Sequence, residues 1–158
     1  MCMKKSVIEM LEERGVTVED MAHLVIDLQK DYLPLTMEIA VANIHKVLSK
    51  REVQNAILTG IQLDKLAESN LIEEPILSMI KRDDSLYGID EILALSITNV
   101  YGSIGFTNFG YLDKLKPGII GKLNAHENGQ INTFLDDLIS GIVAATCSRI
   151  AHAAEDDE

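Results

Sequence analysis

The chain has 158 residues, of which 47% are hydrophobic, and this length and composition allow a domain with a sizeable core. Only 4% of the residues are aromatic and none is tryptophan, so the core is expected to be mostly aliphatic. The 25 acidic residues outnumber the 14 basic ones and give a net charge of -11, which argues against nucleic acid or an anionic bilayer as an unaided partner and favours multivalent cations.

The spacing of apolar residues predicts two amphipathic helices near the start of the chain. Gly15 is a typical left-handed stop for the first helix. Thr17 and Asp20 then form a capping box for the second helix, with Asp in place of the usual Glu. The core face of this second helix is expected to reach Tyr32, and Pro34 is expected to end the helix.

Three further helices are predicted in the next part of the chain. Thr36 is placed to cap the third helix, and Ser49 with Glu52 forms a capping box for the fourth. Pro75 suits the first turn of a short fifth helix that ends near Arg82.

Residues 92–112 form a run of 21 positions without a charged side chain, long enough to span a bilayer as one helix. Six Ser, Thr and Asn residues and three glycines make this run too polar for lipid, so we predict burial in protein and no transmembrane segment. Gly102 and Gly105 allow a break between a helix that begins near Asp90 and one that ends near Lys116. This helix pair is expected to be the centre of the fold, surrounded by amphipathic helices.

The chain shows no strand-like alternation, internal repeat or linker, so we expect one all-α, multi-helical domain over residues 1–158. Cys2 and Cys147 lack CxxC or metal-binding spacing, which predicts no disulfide and a reducing compartment. The first residues lead into an amphipathic helix and do not resemble a signal peptide, so a cytoplasmic protein is expected. The acidic end, residues 155–158, is expected to fray.

Five carboxylates lie in otherwise apolar segments: Asp90, Glu91, Asp113, Asp136 and Asp137. One straight helix between the second and third of these would place them roughly 33 Å apart at 1.5 Å per residue, but a reversal at the glycines returns Asp113 to the level of Asp90. A third helix that starts near Asn132 or Thr133 would bring the last two acids to the same end. Because buried unpaired carboxylates are unfavourable, this convergence predicts a site for one or two Mg²⁺ ions, which prefer oxygen ligands.

Helix capping is the alternative explanation for some of these acids. Asp90 could be a simple N-cap, and Thr133 could form a capping box with Asp136. Asp113 does not fit this explanation, because it lies near a helix C-terminus, where the helix dipole disfavours an anion. The helix that carries the last two acids also has a face of small residues on which another helix can pack closely: Gly141, Ala144 and Ser148.

Four motifs follow one another along the second half of the chain: DE at 90–91, LDKLKP at 112–117, NGQI at 128–131 and DDLISG at 136–141. In order and spacing they resemble the C-terminal part of the phosphatidylglycerophosphatase A family. The resemblance covers about residues 84–152 and leaves residues 1–80 as unmatched helices. It implies a Mg²⁺-dependent phosphatase that removes the terminal phosphate of phosphatidylglycerophosphate, a phospholipid, to give phosphatidylglycerol.

On this interpretation the five acids are the catalytic and metal-binding residues. The bound ions would neutralise phosphate oxygens and lower the pKa of an attacking water, and a carboxylate free of metal would act as general base. Lys116 would bind the substrate phosphate as a point charge, although a cation that caps the helix C-terminus explains it equally well.

Two other functions stay open at this stage. Where the family has Phe-Arg before the LD motif, this chain has Phe109 and Gly110, and residues 1–80 lack both the family's Pro-Gly-Thr motif and its membrane-spanning segments. These differences favour a non-catalytic helical module that binds metal or a partner. The third interpretation is a helical oligomerisation protein without a site. A homo-oligomer is expected in any case, because many short aliphatic helices leave apolar faces unsatisfied.

Overall fold

The computed structural model describes residues 3–155, and all regular structure in that range is helical, as predicted. The α-helices are α1 (Met3–Glu13), α2 (Val18–Gln29), α3 (Met37–Val47), α4 (Arg51–Glu68), α5 (Ile76–Arg82), α6 (Ile89–Thr98), α7 (Ile104–Leu115), α8 (Ile119–Asn124) and α9 (Leu135–Glu155). Short 3-10 turns follow α6 at Asn99–Tyr101 and precede α9 at Glu127–Gly129. Cys2 and residues 156–158 lie outside the described range, and so do the predictions made for them.

Local side-chain chemistry sets the first helix boundaries. Gly15 has a φ of +86°, the left-handed conformation expected after α1. At the start of α2, the Thr17 hydroxyl accepts a hydrogen bond from the Asp20 amide at 3.1 Å, and the Asp20 carboxylate accepts one from the Thr17 amide at 2.9 Å. Thr36 caps α3 by accepting from the Ile39 amide at 3.2 Å. These three predictions are confirmed.

Two local predictions are wrong. Tyr32 is 81% exposed and lies beyond α2, because that helix ends three positions earlier, at Gln29. The expected capping box at α4 is absent, since Lys50 occupies the N-cap position without a side-chain bond. The Ser49 hydroxyl instead donates to the Lys46 carbonyl at 2.6 Å, so it completes the end of α3 rather than the start of α4.

The centre of the fold is α9, which is buried on every side over residues 135–148. Six helices pack around it: α2, α3, α4, α6, α7 and α8. The predicted centre, the α6–α7 pair, lies instead against α9 with one face and keeps apolar side chains exposed on the other. The run without charged side chains, residues 92–112, therefore belongs to two helices that pack beside the central helix.

Small residues explain how closely α6 and α7 approach α9. A Cβ atom at Gly141 of α9 would lie 2.8 Å from the Ala94 carbonyl oxygen of α6. A Cβ atom at Gly105 of α7 would lie 3.1 Å from the Ser148 hydroxyl of α9. The predicted small-residue face of α9 is thus the surface that both neighbouring helices contact.

A reversal at Gly102 connects α6 to α7. Gly102 has a φ of +90°, which favours glycine, and it follows the 3-10 turn directly. The reversal brings the C-terminal end of α7 back to the N-terminal end of α6, as the sequence predicted. Among the described residues, no helix is long and apolar enough to cross a membrane.

Candidate functional site

Carboxylates from two helix N-termini meet at one end of the fold. Asp90 and Glu91 lie in the first turn of α6, and Asp137 lies in the first turn of α9. Each of these three side chains places a carboxylate oxygen within 4.8 Å of the other two. The N-terminal turns favour negative charge because of the helix dipole, but they do not neutralise three acids.

The remaining two predicted acids lie around a lysine. The Lys116 Nζ atom is 2.9 Å from Asp113 Oδ1, 3.0 Å from Asp136 Oδ2 and 3.7 Å from Asp137 Oδ1. Lys116 is also the C-cap of α7, with a left-handed φ of +46°. The two interpretations of Lys116 from sequence are therefore compatible, since one residue ends the helix and places its ammonium among the acids.

Burial dominates the electrostatics of the site. Burial raises the pKa of Asp136 although Lys116 opposes the shift. Burial also raises the pKa of Asp137, and the neighbouring Asp136 charge raises it further. The pKa values of Asp90 and Glu91 are likewise raised by burial, and that of Glu91 is raised further by the charge of Asp90. The ionised carboxylates of the site repel one another, and the site is therefore suited to a cation.

Capping explains these acids only in part. Gly88 occupies the N-cap of α6, and the buried Oδ1 atom of Asp90 has no hydrogen-bond partner. The Thr133 hydroxyl donates to the Ile80 carbonyl at 2.6 Å instead of capping α9. Asp136 does accept one local bond, from the Asp137 amide at 2.9 Å, through Oδ1. A buried acceptor without a partner fits a ligand position, because it would otherwise be costly.

The N-terminus of α9 is capped by a residue from another helix. Asp64 of α4 is fully buried, and its two carboxylate oxygens accept hydrogen bonds from the Phe134 amide at 3.1 Å and the Leu135 amide at 3.0 Å. Burial raises the pKa of Asp64 to about 8 despite these two bonds. Sequence reasoning missed this residue, because the capped amides are 70 positions away.

An arginine holds the segment that precedes α9. The Arg14 guanidinium is buried and donates to Glu68 Oε1 at 2.5 Å, the Ile131 carbonyl at 2.7 Å and Asn132 Oδ1 at 2.9 Å. Glu68 also accepts from the Ile131 amide at 2.8 Å. Arg14, directly after α1, and Glu68, at the end of α4, thus fix the approach to the acids of α9, a role that no local pattern at Arg14 could reveal.

A sixth acid lies near the cluster. Asp83 follows α5 in a left-handed conformation, with a φ of +53°. After burial, its charge is among the causes that raise the pKa values of Asp90 and Asp136. The only signal for it in the sequence is the pair of consecutive aspartates at 83 and 84, which lie in a polar segment and not in an apolar one.

Exposed apolar side chains flank the acids along the chain. Leu86 is 96% exposed in the loop before α6, and Ile89 and Ile92 are exposed on α6 itself. Leu115 is exposed on α7, next to Lys116. We call Leu86, Ile89, Ile92 and Leu115 the apolar rim, since each is exposed and lies within four residues of an acid or of Lys116 in the sequence.

The donor set fits a divalent cation. All the groups that converge are carboxylates, the hard oxygen ligands that Mg²⁺ prefers, and one of them has a buried oxygen without a partner. Asp90, Glu91 and Asp137 are the residues that could hold such an ion, because each offers an oxygen within 4.8 Å of the other two. The structure brings all five predicted acids and Lys116 into one neighbourhood, while their roles stay predictions.

The family model of phosphatidylglycerophosphatase A matches residues 10–152, and the chain belongs to this family. The matched region is wider than the motif-bearing residues 84–152, since it begins within α1 and includes the helices that hold the start of α9. The residues that anchor the site from α1 and α4 thus lie inside the family region.

Relatives and solved structures share the fold over nearly the whole chain. The uncharacterized protein YutG of Bacillus subtilis is 56% identical over 149 residues, which cover 94% of this chain and 90% of that protein. The low temperature requirement C protein of Listeria monocytogenes has a TM-score of 0.94 and 52% identity, covering 98% of each chain. The structure of ypjQ from Bacillus subtilis has a TM-score of 0.94 and 50% identity, covering 99% of this chain and 97% of that one.

Proposed function

We propose that this protein is a Mg²⁺-dependent phosphatase that hydrolyses a phosphomonoester, with phosphatidylglycerophosphate as its substrate and phosphatidylglycerol as the product. The observation that carries the proposal is the convergence of carboxylates at one end of the fold: Asp90 and Glu91 of α6 lie beside Asp137 of α9, and Lys116 pairs with Asp113, Asp136 and Asp137. Membership of the phosphatidylglycerophosphatase A family supports the reaction class.

Five residues of the cluster have direct roles in this reaction, and the sixth, Asp136, positions Lys116 through their ion pair at 3.0 Å. Asp90, Glu91 and Asp137 hold the ion, which when bound neutralises phosphate oxygens and lowers the pKa of the attacking water. Lys116 places a positive charge where a phosphate oxygen can pair with it. Asp113 has the most exposed side chain among the acids around Lys116, at 34%, and is the carboxylate best placed to take a proton from water as general base.

The apolar rim supports a lipid as the phosphate ester. Leu86, Ile89 and Leu115 expose aliphatic surface close to the acids in sequence, and a sugar or free glycerol phosphate would leave that surface in water. The acyl chains of a phospholipid would cover it. A preference for a lipid phosphate over its polar headgroup alone therefore follows from the position of the rim.

Phosphate release from two substrates tests the proposal. With Mg²⁺ present, the protein should hydrolyse short-chain phosphatidylglycerophosphate much faster than glycerol 3-phosphate, and chelation of divalent ions should stop the reaction. Asp90→Asn should reduce the rate by about a hundredfold or more, since loss of even a supporting contact to a metal ligand lowers metal affinity by 10–100-fold. Asp27→Asn, an exposed change on α2, is the control and should keep full activity. If the unaltered protein hydrolyses neither substrate, the proposed phosphatase activity is refuted.

One observation favours a second function, a metal-binding module without catalysis. Gly110 is exposed on α7 where the family carries arginine, so the guanidinium that could grip a phosphate is missing. Thermal melting distinguishes the two functions. A rise in melting temperature with Mg²⁺ but no phosphate release from either substrate would support the module, because the ion then stabilises the fold and does no chemistry.

A further inference from the structure

The acidic cluster has an open side and a side that already contains a cation. On the open side, oxygens of Asp90, Glu91 and Asp137 lie within 4.8 Å of one another, and the buried Oδ1 atom of Asp90 has no partner. On the other side, the Lys116 ammonium lies 2.9 Å from an Asp113 oxygen and 3.0 Å from an Asp136 oxygen. Asp137 belongs to both sides, since its Oδ1 atom is 3.7 Å from the ammonium.

The ammonium occupies the space that a second ion would need. Mg²⁺ binds carboxylate oxygens at about 2.0–2.1 Å, so an ion shared by Asp113 and Asp136 would overlap the Nζ atom that now bridges them. The lysine is also held in place. Its backbone amide donates to the Leu112 carbonyl at 2.8 Å, and only 26% of its side chain is exposed.

We propose that Lys116 is a built-in second cation of this site, so that the cluster takes one divalent ion on its open side and takes a second only when the lysine charge is removed. The ion on the open side is bound by Asp90, Glu91 and Asp137. The ammonium neutralises Asp113 and Asp136 both before and after the ion binds. This inference rests on the metal-binding part of the proposed function and fixes the number of ions that this part leaves open.

Counting bound ions by isothermal titration with Mn²⁺ tests the inference. The unaltered protein should bind one ion per chain. Lys116→Met, which keeps an unbranched side chain one atom shorter and removes its charge, should bind two. Lys114→Met is the matched control, because Lys114 is exposed on the same helix, and it should bind one. Lys116→Arg keeps the charge and should also bind one.

The outcomes separate this inference from the function on which it rests. Two ions per chain in the unaltered protein, or one ion in a folded Lys116→Met variant, would overturn the role of the lysine and leave metal dependence intact. No binding by the unaltered protein would overturn both. If Lys116→Met does not fold, Lys116→Gln replaces it, since the amide can still donate to the carboxylates, and the same increase from one ion to two is expected.

Discussion

Asp137 is a buried carboxylate beside another carboxylate, and this makes its charge unfavourable in the fold. Its pKa is raised above the ordinary value of 3.8 by burial and then by the charge of Asp136. The folded chain therefore keeps a proton that the unfolded chain releases at low pH. Ionisation of Asp137 lowers stability, and the loss develops as pH rises from about 4 towards the folded pKa.

Asp137→Asn should remove this loss. In buffer without divalent ions, the variant should melt at a higher temperature than the unaltered protein, with a difference that grows between about pH 5 and about pH 8. Thermal melting at several pH values measures the effect. Added Mg²⁺ should stabilise the unaltered protein and not the variant, which has lost a ligand. A difference in melting temperature that is constant with pH would show that Asp137 is not under electrostatic strain.

The five acids could be recognised from sequence because charged residues in apolar segments are conspicuous without any knowledge of the fold. Arg14 and Asp64 could not be recognised in this way. Their partners before and at the start of α9 are 117 and 70 positions away, and a charged residue near a helix end or on a helix face is ordinary by itself.

Asp64 makes the start of α9 depend on α4. Asp64→Ala would leave the buried Phe134 and Leu135 amides without acceptors, and the free energy of unfolding should fall by about 1–3 kcal/mol. Asp64→Asn keeps one acceptor and should lose less. Urea unfolding measures both changes, with the exposed Asp27→Ala change as a control expected within about 0.5 kcal/mol of the unaltered protein. A loss for Asp64→Ala no larger than for the control would show that the amides do not need this cap.

Contact between α6 and α9 requires glycine at position 141. Gly141→Ala improves helix propensity by about 1 kcal/mol, but its Cβ would lie 2.8 Å from the Ala94 carbonyl oxygen, so the helices must separate. We expect a net destabilisation of about 1–3 kcal/mol and a smaller stabilisation by Mg²⁺, since Asp90 moves away from Asp137.

Gly110→Ala is the matched control, because a Cβ at Gly110 of α7 meets no atom within 4 Å. This variant should be more stable than the unaltered protein by up to about 1 kcal/mol. Denaturant unfolding of the two variants gives the comparison. Equal stabilisation by both changes would mean that α6 and α9 tolerate a wider separation.

Helix boundaries followed from sequence where the capping partner is local, as for Thr17 and Asp20. The prediction at Ser49 failed because the same hydroxyl could bond to the preceding helix, and only the fold decides between the two. The central position of α9 was also not evident. Its acids and hydroxyl-bearing residues interrupt its apolar sequence, yet two of the hydroxyls bond within the helix: Ser140 donates to the Asp136 carbonyl at 3.1 Å and Thr146 to the Ile142 carbonyl at 2.8 Å.

Across the whole molecule, exposed apolar surface is concentrated on α6, α7 and the turn between them. Six of the eleven large hydrophobic side chains that are exposed in the described range lie there: Ile89, Ile92, Val100, Phe106, Tyr111 and Leu115. A surface of this kind supports the predicted self-association, because monomeric proteins rarely expose large apolar patches.

Phe106→Ser should weaken self-association, since Phe106 lies near the Gly102 reversal and away from the acids in the α7 sequence. Sedimentation velocity over a range of protein concentrations measures the change. Ile39→Ser, an exposed substitution on α3, is the control and should leave association unaffected. If the unaltered protein is a monomer at every concentration, the prediction of self-association is wrong.

Arg14, Asp64 and Glu68 anchor the start of α9. The proposed site therefore depends on residues in the first part of the chain as well as on the acidic motifs. A fragment of residues 84–152 would carry every acidic motif and Lys116, yet it would lack the groups that hold the beginning of the central helix. Such a fragment should neither bind ions nor turn over substrate. Substitutions in the first two-fifths of the chain can therefore abolish the proposed activity while the acidic motifs and Lys116 are unchanged.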